Sequence, residues 1–158
     1  VRRQRQMCIR DSVISASKDL NGRGITTEIW SVTSYGELRR EGLEFERIKR
    51  FDPKHEGVPY VEACFGDGVP TVAASDYIAA VPEMIQRWMK GEFLPLGTDG
   101  FGRSDTREEL RRFFEVDSDS IVLASISLLE RQGAIPPGSS ASFAEEAGLS
   151  YERKDVTL

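Results

Sequence analysis

The chain has a single histidine, His55, and two cysteines, Cys8 and Cys64, among its 158 residues. The cysteines form no C-x-x-C pair and have no neighbouring histidine, so neither a zinc site nor a disulfide framework is indicated. Cys64 reads as a small buried apolar residue. No apolar run approaches the roughly 18 residues of a membrane span, and the N-terminus lacks the apolar middle section of a secretory signal. A cytoplasmic location is therefore expected. The phosphate-cradling patterns G-x-x-x-x-G-K-[ST] and G-x-G-x-x-G do not occur, nor does the nucleophile elbow G-x-S-x-G. Internal repeats and low-complexity tracts are absent too, and PPGSS at 136–140 is only a polar loop.

Acid is in excess, with a formal net charge of -5. The opening VRRQRQMCIRDS places four arginines against Asp11 and so contributes +3, which leaves -8 on residues 13–158. Such a body argues against nucleic acid as a partner. QMCIRDS also coincides with what one reading frame of a transposon end used in sequencing libraries encodes. Residues 1–12 are accordingly expected to be adapter-derived, with a domain truncated upstream occupying 13–158. Segments of that origin are set aside in fold reasoning. The length suits one domain that buries roughly 68 to 70% of its unfolded surface.

VISASKDL at 13–20 reads as the tail of a helix, ended by NGRG, whose glycines supply left-handed positions. ITTEIWSV at 25–32 is rich in β-branched and aromatic residues and predicts a strand. Ser34 and Glu37 form an S-x-x-E capping box, after which Leu38, Gly42, Phe45 and Ile48 recur at helical spacing. FDPKHEGVP is an exposed connection, and VPYVEACF a short helix stopped by Gly66 and Gly68. VPTVAASDY at 69–77 predicts a second strand, followed by one helix carrying Ile78, Val81, Ile85, Trp88 and Met89, with Pro82 in its first turn. FLPLGTDG at 93–100 is a third strand running into a glycine-rich turn. Asp105 or Thr106 then starts a helix bearing Leu110, Phe113 and Phe114. Asp117 caps the next, which carries Ile121, Val122, Ser125, Leu128 and Leu129 and is closed by Gly133, and a last helix spans about 140–147. Strands separated by helices require a parallel sheet covered on both faces, hence an α/β fold in three layers.

Chemistry concentrates in LGTDGFGRSD. Gly97, Gly100 and Gly102 between strand and helix would let backbone amides approach an anion, with Arg103 adding positive charge and the helix N-terminus its dipole. On the competing reading Gly100 and Gly102 only make the turn, Asp99 and Asp105 satisfy backbone amides, and Arg103 pairs with an acid. Asp99, Gly100, Gly102, Arg103, Ser104 and Asp105 are the candidate site or structural turn. His55 lies in a loop-like, solvated PKHEG segment and reads as surface. Ser31, Thr33 and Ser34 stand at a strand's carboxyl end, where open α/β sheets bind ligands, although helix capping accounts for Ser34. Glu37, Glu41 and Glu44 alternate with Arg39, Arg40 and Arg47 on a solvated helix face. No base, nucleophile and oxyanion site come together, so the chain reads as part of an enzyme.

WSVTSYGELRREGLEFER, VPYVEA, VPTVAASDY and above all LGTDGFGRSDTREELRRFFEVD resemble the C-terminal domain of the bacterial homodimeric pyruvate dehydrogenases. The likeness runs from about residue 13 to residue 136. The pattern is more distantly similar to the transketolase C-terminal domain, where an FG-x-S turn likewise opens a helix. The resemblance implies a mixed, mainly parallel sheet of about five strands with helices on both faces and an N-terminal strand missing here. It further implies a parent enzyme that decarboxylates pyruvate, with thiamine diphosphate and magnesium held by two preceding domains at the dimer interface. None of those positions exists in this chain, so no catalytic, cofactor-binding or metal-binding residue is assigned. The implied partners are a second copy and the dihydrolipoyl acyltransferase component that carries the lipoyl group. The implied role is a structural and dimerisation domain, inactive alone. A stand-alone anion-binding module and a fragment of a transketolase-type enzyme are the alternatives.

Overall fold

The computed structural model of the chain describes residues 9–100 and 104–152. Its first helix, α1 (Ile9–Gly22), buries Ser12, Ala16 and Leu20, a four-residue spacing that keeps one face inward. It ends at NGRG as expected: Gly24 takes φ 81°, and the Ile25 amide donates to the Leu20 carbonyl over 2.9 Å. The helix crosses position 13 without interruption.

The strand predicted over residues 25–32 does not form; these residues carry no regular secondary structure. The Thr27 hydroxyl instead lies 2.6 Å from that of Ser17, tying the segment to α1, while Ile29 and Trp30 are about half exposed. β-Propensity measures fit to a pleated, half-buried surface, and among the described residues no strand lies beside this segment for that fit to act on.

Helix α2 (Tyr35–Phe51) starts at Ser34, whose hydroxyl accepts from the Glu37 amide. The second half of the capping box is diverted, because the Glu37 carboxylate pairs with Arg40. After the exposed connection, α3 (Tyr60–Phe65) forms as read from the sequence. Strands β1 (Thr71–Ala74) and β2 (Phe93–Leu96) then pair in parallel, Val72 opposite Leu94 and Ala74 opposite Leu96. Among the described residues the sheet has two strands, against the five implied by resemblance.

Between the strands, the single predicted helix is replaced by a short α4 (Ala80–Glu83) and a 3-10 turn over Gln86–Trp88. The reason lies in the spacing of what is buried. Pro82, Ile85 and Trp88, all buried, recur every third residue, and three residues per turn is the 3-10 period rather than the α one.

Helix α5 (Arg107–Phe113) is capped by the Thr106 hydroxyl and α6 (Ser118–Arg131) by the Asp117 carboxylate. Gly133, at φ 72°, follows α6, and α7 (Ser139–Glu146) is the last helix described. Val72, Ala74 and Leu96 pack in one core with Ala16, Leu20, Ile121, Val122, Ile126 and Phe143, so α6 lies on one face of the sheet with α1 and α7 packed against it. Phe93 turns the other way, onto Val61, Ile85 and Trp88 with Leu38 and Leu43. The two cores on opposite faces make the three-layer α/β arrangement expected from the sequence.

Candidate functional site

In an open parallel sheet the ligand position is at the carboxyl ends of the strands. Here those ends carry Ser75, Asp76 and Tyr77 after β1, and Gly97, Thr98 and Asp99 after β2. The two loops are laced to each other. The Thr98 amide donates to the Tyr77 carbonyl over 2.9 Å, and the Thr98 hydroxyl donates to the Asp76 carbonyl over 2.8 Å. The Asp99 carboxylate accepts from the Ala79 amide at 3.2 and 3.3 Å, just ahead of α4. A side chain at Gly97 would have no room, because its Cβ would fall 2.3 Å from the Ala79 nitrogen and 2.6 Å from the Tyr77 oxygen.

The carboxylate of Asp76, set back between these loops and α5, has one buried oxygen without a hydrogen-bond partner. Burial raises its pKa from the ordinary aspartate value, opposed by the charges of Arg111 and Arg107. On α3, hydrogen bonding to Cys64 raises the Tyr60 hydroxyl above its usual value.

The sequence-predicted residues divide accordingly. Asp99 satisfies a backbone amide, as the turn reading requires, and Gly100 sits beside it at φ 116°. Asp105 accepts from the amide of the next residue, Thr106, over 2.8 Å. Ser104 is exposed. Gly102 and Arg103 lie outside the described residues. Asp105, Glu108 and Glu109 put three carboxylates beside one cation, Arg107, at the start of α5, a net negative charge that disfavours an anion there.

Ser34 is a cap, as read, but two other readings need correction. His55 is half-buried rather than simply solvated, its ring 5.4 Å from that of Phe45. Cys64 is also only half-buried, because α3 is a six-residue helix that turns only Val61 fully inward. Thr98 and Asp76, which lace the loops, do not stand out in the sequence. Their one visible signal is a polar pair following each strand, SD after β1 and TD after β2.

The open depressions lie elsewhere. One of about 250 Å³ sits near the amino end of β2, between Met89, Glu92, Phe93, Leu128 and Arg131, and the Arg131 guanidinium crosses it to Glu92 at 3.1 Å. A furrow of about 480 Å³ follows the outer face of α2 along Glu37, Glu41, Glu44 and Phe45. Among the described residues no three His, Cys, Asp or Glu side chains converge as metal ligands, and no helix is long and apolar enough to cross a membrane.

The family model for the transketolase-like TK C-terminal domain matches residues 10–117. The chain is 42% identical over 135 residues to the pyruvate dehydrogenase E1 component of Mycolicibacterium smegmatis, covering 84% of this chain and 14% of that protein. It is likewise 42% identical over 138 residues to that of Pseudomonas aeruginosa, covering 85% and 16%. Against that of Escherichia coli K12 identity is 37% over 129 residues, covering 80% and 14%. The chain thus spans about one seventh of the length of these curated relatives.

Proposed function

The chain belongs to the transketolase-like C-terminal domain family, and from that premise we propose that it is the C-terminal structural and dimerisation domain of a pyruvate-decarboxylating enzyme component. Its parent would decarboxylate pyruvate with thiamine diphosphate and magnesium, and pass the acetyl group to a lipoyl group on a dihydrolipoyl acyltransferase partner. A second copy of the parent is the other partner, and the cytoplasm the expected location.

One observation carries this reading. The strand ends, where an α/β sheet would offer a ligand site, are tied shut through Thr98, Asp99 and the absent side chain of Gly97. A diphosphate with its metal needs a cluster of cationic or amide donors and oxygen ligands for the cation. The described residues place carboxylates at the start of α5 and bring no metal-ligating cluster together. They do not fit thiamine diphosphate, so no step of the reaction is assigned to them. The DGFGRSD turn is read as ordering the start of α5, with Asp99 bracing α4. Neither anion binding nor a transketolase-type parent gains an observation of its own. Residues 1–12 are read as adapter-derived sequence, which the genomic DNA upstream of Val13 would check.

The test is a graft. Residues 13–152 would replace the homologous domain of the E. coli pyruvate dehydrogenase E1 component, beside a control lacking that domain. Restored dimerisation and pyruvate-dependent lipoyl acetylation in the graft alone are expected. Thiamine diphosphate binding by the isolated chain, or a graft as inactive as the deletion although folded, would overturn the reading.

A further inference from the structure

Helix α7 lies beyond the stretch that the family model matches and is held differently from the rest of the fold. With eight residues it is too short to persist alone in water, where isolated helices of fewer than about 12 to 15 residues are marginal. Phe143 is its one fully buried apolar side chain, in one core cluster with Leu20 and Ile126. Ile135 ahead of it and Ala147 and Leu149 behind it also pack on that core, and polar contacts hold both ends.

At the leading end, one carboxylate does the work of a cap from a neighbouring helix. Glu130 of α6 accepts from the Gly138 amide at 2.6 Å, the Ser140 amide at 2.8 Å and the Ser140 hydroxyl at 2.6 Å. At the trailing end, Arg23 donates to both oxygens of Glu146, at 3.1 and 2.7 Å, with its guanidinium 4.7 Å from the Phe143 ring centre. Arg112 of α5 adds a bond to the Gly148 carbonyl at 3.2 Å. The connection from α6 contains Pro136 and Pro137, which have no N–H to donate, followed by Gly138 at φ 88°, so it ties α7 down with few backbone bonds.

We propose that α7 is a latch that releases and unwinds as a unit when Glu130 and Glu146 lose their charge, leaving α1, α6 and the parallel sheet folded and uncovering the apolar seat of Phe143. Among the described residues the charged groups facing it are Glu130 from α6, Arg23 just after α1 with its partner Asp19, and Arg112 from α5, with Glu145 and Glu146 its own. Arg23 remains anchored to α1 after release, because Asp19 also holds it at 3.1 Å. The direction follows from the bonds. Hydrogen bonds from Ser140 lower the Glu130 pKa, and Arg23 lowers that of Glu146, both from an ordinary 4.5. Their contribution is complete above that value and is lost as pH falls through the lowered folded values.

Hydrogen exchange on the full chain tests this at neutral pH with Glu130→Gln and Glu130→Gln/Arg23→Gln. The amides of Ser142, Ala147 and Leu149 are expected to exchange at least tenfold faster, while those of residues 124–129 in α6 keep their protection. The unsubstituted chain below pH 4, corrected for intrinsic rates, should repeat the pattern. Unchanged α7 protection in both, or loss of α6 and α7 protection together, would overturn the proposal.

Discussion

The loop leaving β2 passes the loop leaving β1 so closely that a Cβ on Gly97 would lie 2.3 Å from the backbone nitrogen of Ala79. The obstacle is main chain, which a rotamer change cannot relieve. Gly97→Ala is therefore expected to destabilise by about 3 kcal/mol, at the top of the overpacking range, and to loosen the Asp99 brace on α4. Gly22→Ala is the control, since a Cβ there, on the last turn of α1, would meet nothing within 4 Å. Its stability should be unchanged or slightly raised. Equal urea midpoints for the two variants would refute the close-approach argument.

Gly42 and Trp88 form a second such contact, with a different obstacle. A Cβ at Gly42 would meet the indole ring at 2.6 Å, and the ring is held by its N–H donating to Glu46 over 2.9 Å. Gly42→Ala gains up to about 1 kcal/mol of helix propensity against about 1 to 3 kcal/mol of overpacking. A net loss is expected. Because the obstacle is one side chain, adding Trp88→Leu should recover part of it, with a double-mutant coupling of at least about 0.5 kcal/mol. Strict additivity would show that the ring is not what resists.

Of these two glycines the sequence marks one: Gly42 sits at helical spacing between Leu38 and Phe45, whereas Gly97 reads there only as part of an anion-approaching loop, and its close approach to Ala79 is not legible. Helix caps are legible because capping is local: Ser34, Thr106 and Asp117 each bond an amide within three residues. The failures are non-local. Residues 25–32 have strand chemistry but no strand partner among the described residues, and a partner is not written in the segment itself. The stripe Pro82, Ile85, Trp88 reads as α-helical because the neighbouring Ile78, Val81 and Met89 blur its period of three. The lacing by Thr98 and the cap supplied by Glu130 from another helix depend on loops meeting in space, which spacing along the chain does not encode.

Asp76 makes a prediction of the opposite pH sign to Glu130. Burial raises its pKa and outweighs the attraction of Arg111 and Arg107, so the folded chain holds that proton more tightly than the unfolded one. The charged form therefore costs stability at neutral pH, and the cost fades as pH falls through the raised value. Asp76→Asn is expected to raise the melting temperature at pH 7 and to match the unsubstituted chain near pH 3.5. A lower melting temperature at pH 7 would mean that the two arginines dominate.

The last prediction concerns the edges of the sheet. The Thr71 amide donates to Glu92, just before β2, and the Ser75 amide to Leu96 of β2, at 2.8 and 2.9 Å, so the alternate residues Val72 and Ala74 turn their backbone groups outward. On β2 the outward positions are those of Phe93 and Pro95, and Pro95 has no N–H to offer, a device that blunts an edge. The edge of β1 has no such protection, and among the described residues no backbone bond meets Val72 or Ala74 from that side. An exposed, unpaired strand edge templates another strand. The chain is thus expected to associate with itself as concentration rises in sedimentation velocity. Ala74→Pro, which removes an outward N–H and no bond to β2, should weaken that association while the far-ultraviolet circular dichroism stays unchanged. A chain that stays monomeric throughout, or association indifferent to Ala74→Pro, would place the contact elsewhere than on β1.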